Sequence, residues 1–261
     1  MRELFFKLFE ESHFDTGIVV SAFSISHIVY LILILGSIVG GYFLLRNSTT
    51  ERKTQVMGIL VNLIMLSYFS DFFVHEFVYG TIDAPGGLNL DKLPFHICTV
   101  LCPLSAFVQY NKKFEVIKEP IVLLSALAPL MYICYPASIG DAEPWCYQAV
   151  QTMFYHGVLF AWGVLNISLG VVKLDIKKCY KSAILLVGIT LWAKLGNILL
   201  EHNWFFLEED AFYIGLVEGG IIPKWLLMII NPIVFFLAVL ALYGVYYLAI
   251  HIRRVLANKK Q

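Results

Sequence analysis

The chain has 261 residues, of which 59% are hydrophobic and only 15% charged, with a mean hydropathy of +0.75. Soluble domains carry about 25% charged residues, so this composition excludes an ordinary soluble globular protein and points to a polytopic membrane protein. Nineteen Lys and Arg balance nineteen Asp and Glu, and nothing in that total suggests a nucleic-acid partner.

Residues 1–16 come first. Leu4, Phe5, Leu8 and Phe9 fall at helical spacing, which fits either a short amphipathic helix on the membrane surface or a frayed tail. A signal peptide needs a basic head and a short apolar run. Here Arg2 and Lys7 are offset by Glu3, Glu10, Glu11 and Asp15. Seven apolar segments follow, at about 17–45, 56–80, 93–110, 119–135, 147–172, 180–200 and 225–251. A span needs about 20 apolar residues. The third and fourth are short, and the first, fifth and seventh are long enough to tilt or protrude. The expected fold is all-α, a single seven-helix transmembrane domain over residues 1–261 with no internal repeat and no soluble domain. The longest connection, "EHNWFFLEEDAFYIGLVEGGIIPK" at 201–224, mixes aromatics, acids and glycines and is expected to dip into or cap one leaflet. Trp145, Trp204 and Trp225 fall near that boundary, where interfacial aromatics collect.

Charge sets the orientation. Arg46, Arg52 and Lys53 follow the first span, and Lys112, Lys113 and Lys118 the third. Lys173, Lys177, Lys178 and Lys181 follow the fifth, and Arg253, Arg254, Lys259 and Lys260 the seventh. The alternate connections hold only Arg2, Lys7, Lys92 and Lys224, together with thirteen of the nineteen acids. Positive residues stay in the cytoplasm, so the N-terminus is expected outside and the C-terminus inside, in a multi-pass plasma-membrane protein.

Ionisable groups inside a bilayer are costly and default to a functional hypothesis. They are Asp71, His75 and Glu76 in the second span, His96 and Cys98 in the third, and Gln151 and His156 (with polar Gln151 counted) in the fifth. Lys194 and Asn197 lie in the sixth, Asn231 in the seventh and His27 in the first. Given the expected topology, nearly all of them fall in the outer half. Cys98 and His156 are roughly 8 and 14 Å below the surface at 1.5 Å per residue. Such convergence suits a polar cavity open to the outer side. Asp71 and His75 share a helical face, as do Lys194 and Asn197, Thr152 and His156, and Cys98 and Cys102. His96 is about 200° from Cys98 around the helix, so a base for Cys98 must come from another helix, and His156 is at a compatible depth.

Each residue also has a plainer reading. Asp71 or Glu76 with Lys194 reads as a structural ion pair, His27 as a satisfied core histidine and Cys102, before Pro103, as a small packing residue. Asn231-Pro232 reads as a helix kink, and Cys98 alone as a packing thiol. The five cysteines are 98, 102, 134, 146 and 179. Cys134 and Cys146 flank "YPASIGDAEPW" and are placed for a disulfide on an oxidising side. The CxxxC at 98–102 is no metal signature, and the sequence indicates no metal and no cofactor.

"LPFHIC" opening one span, with "MFYHG" early in a later one, resembles the YwaF-like integral membrane proteins of bacteria and their eukaryotic relatives, the transmembrane protein 164 group. The likeness extends over about residues 15–250 as a seven-span pattern. It implies an acyltransferase that remodels phospholipids, with the motif cysteine at Cys98 and the motif histidine at His156. A weaker, topological likeness is to small multi-span lipid hydrolases that use Thr and His. The implied chemistry is coherent. A thiolate is the nucleophile, burial opposes the charge, and an adjacent histidine overcomes this by taking the proton. Cys98 would attack a lipid ester, and a lysophospholipid or water would receive the acyl group. Lys194 or Asn197 would steady the oxyanion or, for Lys194, hold the lipid phosphate. His96, Asp71, His75, Glu76, Gln151 and Asn231 would support the site. The competing class is a small-solute transporter or a non-catalytic membrane protein using the same cavity; transporters often show inverted repeats and broken midplane helices, and none is visible here. A thiol oxidoreductase would need Cys98 and Cys102 to pair, for which one helical turn is badly placed.

The topology is directly checkable. A fluorescent protein fused after residue 261 should fluoresce, and alkaline phosphatase fused there should be inactive. The opposite pair of results would invert the assignment.

Overall fold

The computed structural model describes residues 18–74, 90, 93–136, 139–140, 142–207, 219 and 221–258. The proposed N-terminal amphipathic helix, His75, Glu76 and half of the 201–224 connection lie outside those residues. Among the described residues the chain is all-helical, without strands. The seven α-helices are α1 (Ile25–Leu45), α2 (Thr50–Val74), α3 (Ile97–Tyr110), α4 (Lys118–Cys134), α5 (Tyr147–Ser168), α6 (Tyr180–Leu200) and α7 (Leu227–Asn258). Each falls on one of the seven apolar segments.

The ends differ from the apolar runs for local reasons. α1 starts at Ile25, not near 17, because Ser24 caps it: its side chain accepts the His27 N–H at 3.2 Å. The residue before it, Phe23, takes a left-handed turn at φ 63°. α2 begins six residues before its apolar run, where Thr49 Oγ1 accepts the Arg52 N–H at 3.2 Å and Glu51 sits at the positive helix end. At the far end of the chain, α7 runs to Asn258.

Five of the seven helices, counted with adjoining short turns, are long and apolar enough to cross a membrane. The exceptions are α3 and α5. α3 has 14 residues, or about 21 Å, against a hydrocarbon core of about 30 Å. α5 has 22 residues, but Gln151, Thr152, His156 and Asn166 interrupt its apolar character. It tolerates them because it is central, packing against α1, α2 and α4. The outer helices show the reverse. α1 buries only His27 and Ile38 among its described residues and exposes Ile32, Leu33, Leu35 and Leu44, an apolar face suited to lipid and not to water.

Two contacts fix the central packing. α4 and α5 approach so closely at Gly163 that a Cβ there would lie 2.5 Å from the Ala126 backbone nitrogen. α1 is tied to α4 by His27, which is fully buried. Its Nε2 lies 2.7 Å from the Ile133 carbonyl oxygen, and its Nδ1 accepts the Phe23 N–H at 2.9 Å. A carbonyl only accepts, so Nε2 carries the proton and the ring is a neutral, satisfied core histidine.

The connections gather at two faces. At the Lys-rich face, Glu119 is buried and accepts from Tyr243 Oη at 2.8 Å and from the Asp175 N–H at 2.7 Å, joining α4, α7 and the α5–α6 connection. The sequence reading does not single out this carboxylate, because it opens the fourth span beside Lys118. At the Lys-poor face meet the end of α2, the starts of α3, α5 and α7, and the end of α6.

The α4–α5 contact can be tested by a matched pair of substitutions. Gly163→Ala should destabilise the detergent-solubilised protein by about 1–3 kcal/mol, the usual cost of overpacking. Gly40→Ala, where a Cβ meets nothing within 4 Å, should be neutral or slightly stabilising. Equal melting temperatures for both variants would refute the close approach.

Candidate functional site

The polar residues of the Lys-poor half form two groups. The first lies between α2, α3 and α5. Gln151 Nε2 donates to the Ser67 carbonyl at 3.1 Å, and the Thr152 hydroxyl donates to Gln151 Oε1 at 3.3 Å. The Ser70 and Tyr147 hydroxyls lie 3.2 Å apart. Asp71 is buried, close enough to Tyr68 and Tyr147 to interact with both electrostatically. Helical spacing explains the set: Ser67, Ser70 and Asp71 share one face of α2, and Tyr147, Gln151 and Tyr155 one face of α5.

Tyr155 carries this group across to α3. It is buried, and its hydroxyl donates to the Cys98 carbonyl oxygen at 2.8 Å. Its ring lies 6.1 Å from that of Tyr68. The Cys102 thiol sits 3.4 Å from Met65 Sδ and within reach of the Tyr155 hydroxyl. Cys98 is the second residue of α3 and is 8% exposed. His96, the N-cap of α3, provides no side-chain cap, so the first-turn N–H groups of the helix that carries Cys98 are not taken up by its cap residue. Unsatisfied first-turn amides and the helix dipole favour negative charge there.

The residue after Tyr155 is His156, half-buried and facing α4. Its ring stacks on Tyr132, with centroids 4.0 Å apart and planes 11° apart. His156 Nδ1 lies 2.8 Å from the Thr152 carbonyl oxygen, so Nδ1 must donate. In the neutral ring, Nε2 is then the nitrogen with the lone pair. A histidine held by its Nδ1–H, with Nε2 as the basic atom, is the form that a general base requires.

The second group serves a different purpose. Asn197 Oδ1 accepts the Trp204 N–H at 2.7 Å, and its Nδ2 donates to the Trp204 carbonyl at 3.2 Å. Asn231 Nδ2 donates to the Phe205 and Phe206 carbonyls at 3.2 and 3.0 Å. His96 Nδ1 accepts the Phe205 N–H at 3.3 Å. All three side chains therefore grip one turn at 204–206. Phe205 and Phe206 hold left-handed φ values of 58° and 53°, a conformation that non-glycine residues adopt only when their surroundings impose it. Trp204 is fully buried against Phe95, with centroids 4.6 Å apart, and Phe95 stacks on Trp192 at 5.0 Å. Gly196 leaves room for Phe95; a Cβ there would lie 2.5 Å from the ring.

Several expectations are corrected. Both ends of the Asn197 amide are committed to backbone, so it holds a turn and is not placed to donate to an oxyanion. Asn231 likewise anchors the turn; Pro232 lies inside α7, which leaves the kink reading as it stood. Trp204, expected at the interface, is core, whereas Trp145 and Trp225 are exposed. No disulfide joins Cys134 and Cys146. Cys134 is exposed at the end of α4, while Cys146 is buried as the N-cap of α5, its sulfur accepting the Ala149 N–H at 3.4 Å. Lys194 is half-buried on α6, one turn before Asn197. Sequence reasoning passes over Ser67, Ser70, Tyr68, Tyr147 and Tyr155. The stripe Tyr147–Gln151–Tyr155 was available at i, i+4 spacing, but tyrosines in an apolar run read as packing.

In comparisons with known proteins, a family model described as TMEM164 family matches residues 22–245, more than four fifths of the chain. No curated protein and no solved structure matches it.

The anchoring role of Asn197 has a clear consequence. Asn197→Leu strands the buried Trp204 N–H and carbonyl, each worth about 1–3 kcal/mol, and should lower the melting temperature and redshift tryptophan emission. An unchanged melting curve and spectrum would remove Asn197 from the role of anchor.

Proposed function

The chain belongs to the TMEM164 family of multi-pass membrane proteins, and on that premise we propose that it is a lipid acyltransferase or acyl hydrolase that uses Cys98 and His156. The observation that carries this reading is Tyr155. It binds the backbone of the nucleophile's residue on α3 (2.8 Å) and immediately precedes the histidine on α5, so one side chain holds the two helices that supply the reacting groups.

The steps follow from the chemistry of these groups. His156 Nε2 takes the Cys98 thiol proton, and the sulfur attacks the carbonyl carbon of a phospholipid ester. A C–S bond forms, the ester C–O bond breaks, and the lysophospholipid leaves with the proton from His156. The thioester is then attacked by the hydroxyl of an acceptor lysophospholipid, or by water, with His156 again handling the proton. The oxyanion is assigned to the first-turn N–H groups of α3, the helix in which Cys98 is the second residue. This replaces the donor role that the sequence suggests for Asn197. Gln151 with Ser67, and Tyr147 with Ser70, keep α5 in register with α2. The substrates are membrane phospholipids and lysophospholipids, reached from the Lys-poor leaflet of the plasma membrane.

The test is acyl exchange on defined lipids in proteoliposomes. Cys98→Ser and His156→Ala should each lose at least about 100-fold in rate, the scale of a general base, while Cys102→Ala keeps most of it. Full activity in both of the first two variants would sink the reading. Flux of a small solute through the reconstituted protein, without acyl exchange, would favour a transporter instead.

A further inference from the structure

A groove of about 380 Å³ runs between α2 and α3, lined by Met65, Pro103, Ala106, Phe107, Tyr110 and Asn111. It lies toward the Lys-rich face, away from the polar group around Cys98. Its volume is at the lower end of the ~300–1,000 Å³ of small-molecule sites, with room for one narrow chain. Two features shape it. α3 stops at Tyr110 and is followed by a 3-10 turn at Lys112–Ile117, whose Phe114 ring lies 5.8 Å from that of Phe107. Pro103 inside α3 also lacks an N–H and a side chain long enough to fill the gap towards α2.

The groove has a polar end and an apolar end. Tyr110 closes the polar end, its one hydroxyl proton shared between Asn62 Oδ1 at 2.6 Å and the Gly58 carbonyl at 2.9 Å. Asn111, the last lining residue, accepts the Lys113 N–H at its Oδ1 (3.0 Å), and the exposed Lys112 and Lys113 follow it directly in the chain. Glu115, the nearest acid in sequence, is drawn to Lys118 at 3.7 Å. At the apolar end, Met65 Sδ touches the Cys102 thiol (3.4 Å). Phe107 and Tyr110 are 54% and 60% exposed, so the groove opens sideways to lipid. Two lysines at the headgroup level over an apolar interhelical slot match a single molecular form, an anionic headgroup with its hydrocarbon chain. Basic pockets between transmembrane helices on the cytoplasmic side bind acidic lipids in this way.

We propose that the α2–α3 groove is a binding site for an anionic phospholipid of the Lys-rich leaflet, its phosphate at Lys112 and Lys113 and one acyl chain reaching Met65. The site is separate from the acyl-transfer reading and stands or falls without it. Because the chain end meets Met65, and Met65 meets Cys102, an occupied groove also braces the α2–α3 contact behind the thiols. Methionine's flexible thioether suits such a yielding end wall.

Native mass spectrometry of the purified full-length chain tests it, using dioleoylphosphatidylglycerol against dioleoylphosphatidylcholine at equal concentration. Phosphatidylglycerol should be retained at least tenfold better. Lys112→Gln with Lys113→Gln should remove that preference, and Ala106→Phe, which fills the slot, should reduce retention of phosphatidylglycerol to a similar degree. The lysines are exposed, so their variant should melt as the parent does, and it carries the test if Ala106→Phe fails to fold. Equal retention of the two lipids by the parent, or an unchanged preference in the lysine variant, would overturn the proposal. Full retention in a folded Ala106→Phe variant would overturn the placement of the chain.

Discussion

A bilayer core offers little water to a buried polar group, so a hydrogen-bonding side chain within this bundle is stabilised chiefly by partners in the protein. That constraint organises the Lys-poor half. It explains why Gln151 reaches for the Ser67 carbonyl, why His27 spends both ring nitrogens on backbone, and why Asn197 binds both faces of one residue. Polar residues that look equivalent along the chain thus divide according to how their partners are spent. Asn197 and Asn231 are spent on backbone. Tyr155 and His156 are spent in a way that orients a thiol's backbone and sets a histidine tautomer.

The separation of the two groups also gives α3 a double task. Its entry, Leu93 to Cys98, is fixed on one side by the second group: Trp192 Nε1 donates to the Pro94 carbonyl at 2.7 Å, Phe95 is sandwiched between Trp192 and Trp204, and His96 takes the Phe205 N–H. On the other side Tyr155 holds Cys98. A short helix with so few turns could not fix its own first residues in a membrane. The motif "LPFHIC" is therefore a clamp followed by the proposed nucleophile: Pro94, Phe95 and His96 hold position, and Cys98 is the second residue of α3.

Much of this was legible in the sequence, for physical reasons. Hydropathy located all seven helices, because apolar length is what a bilayer selects. The neutral, satisfied role of His27 followed from its isolation in an apolar run. The expected gathering of polarity in one half was incomplete, since Lys118, Glu119, Asn166 and Ser182 are buried toward the Lys-rich face. What remained hidden was partner choice. Nothing in the spacing of Lys194 and Asn197 says that a turn seven residues further on folds back onto Asn197. Trp204 read as interfacial because tryptophan usually is, yet Phe95 and Gly196 make a pocket for it. Cys134 and Cys146 looked pairable because they flank one loop, but the α5 N-cap buries Cys146 within helix geometry. Tyr155 was overlooked because a tyrosine hydroxyl gives no signal until the carbonyl it meets is known.

The account's central claim is that Cys98 carries the acyl group between donor and acceptor. Intact-protein and peptide mass spectrometry after incubation with phospholipid, with no acceptor added, tests it most directly. The account predicts a fatty-acyl adduct on the peptide bearing Cys98 that neutral hydroxylamine removes. Acyl exchange proceeding at full rate with Cys98 unmodified throughout would contradict it.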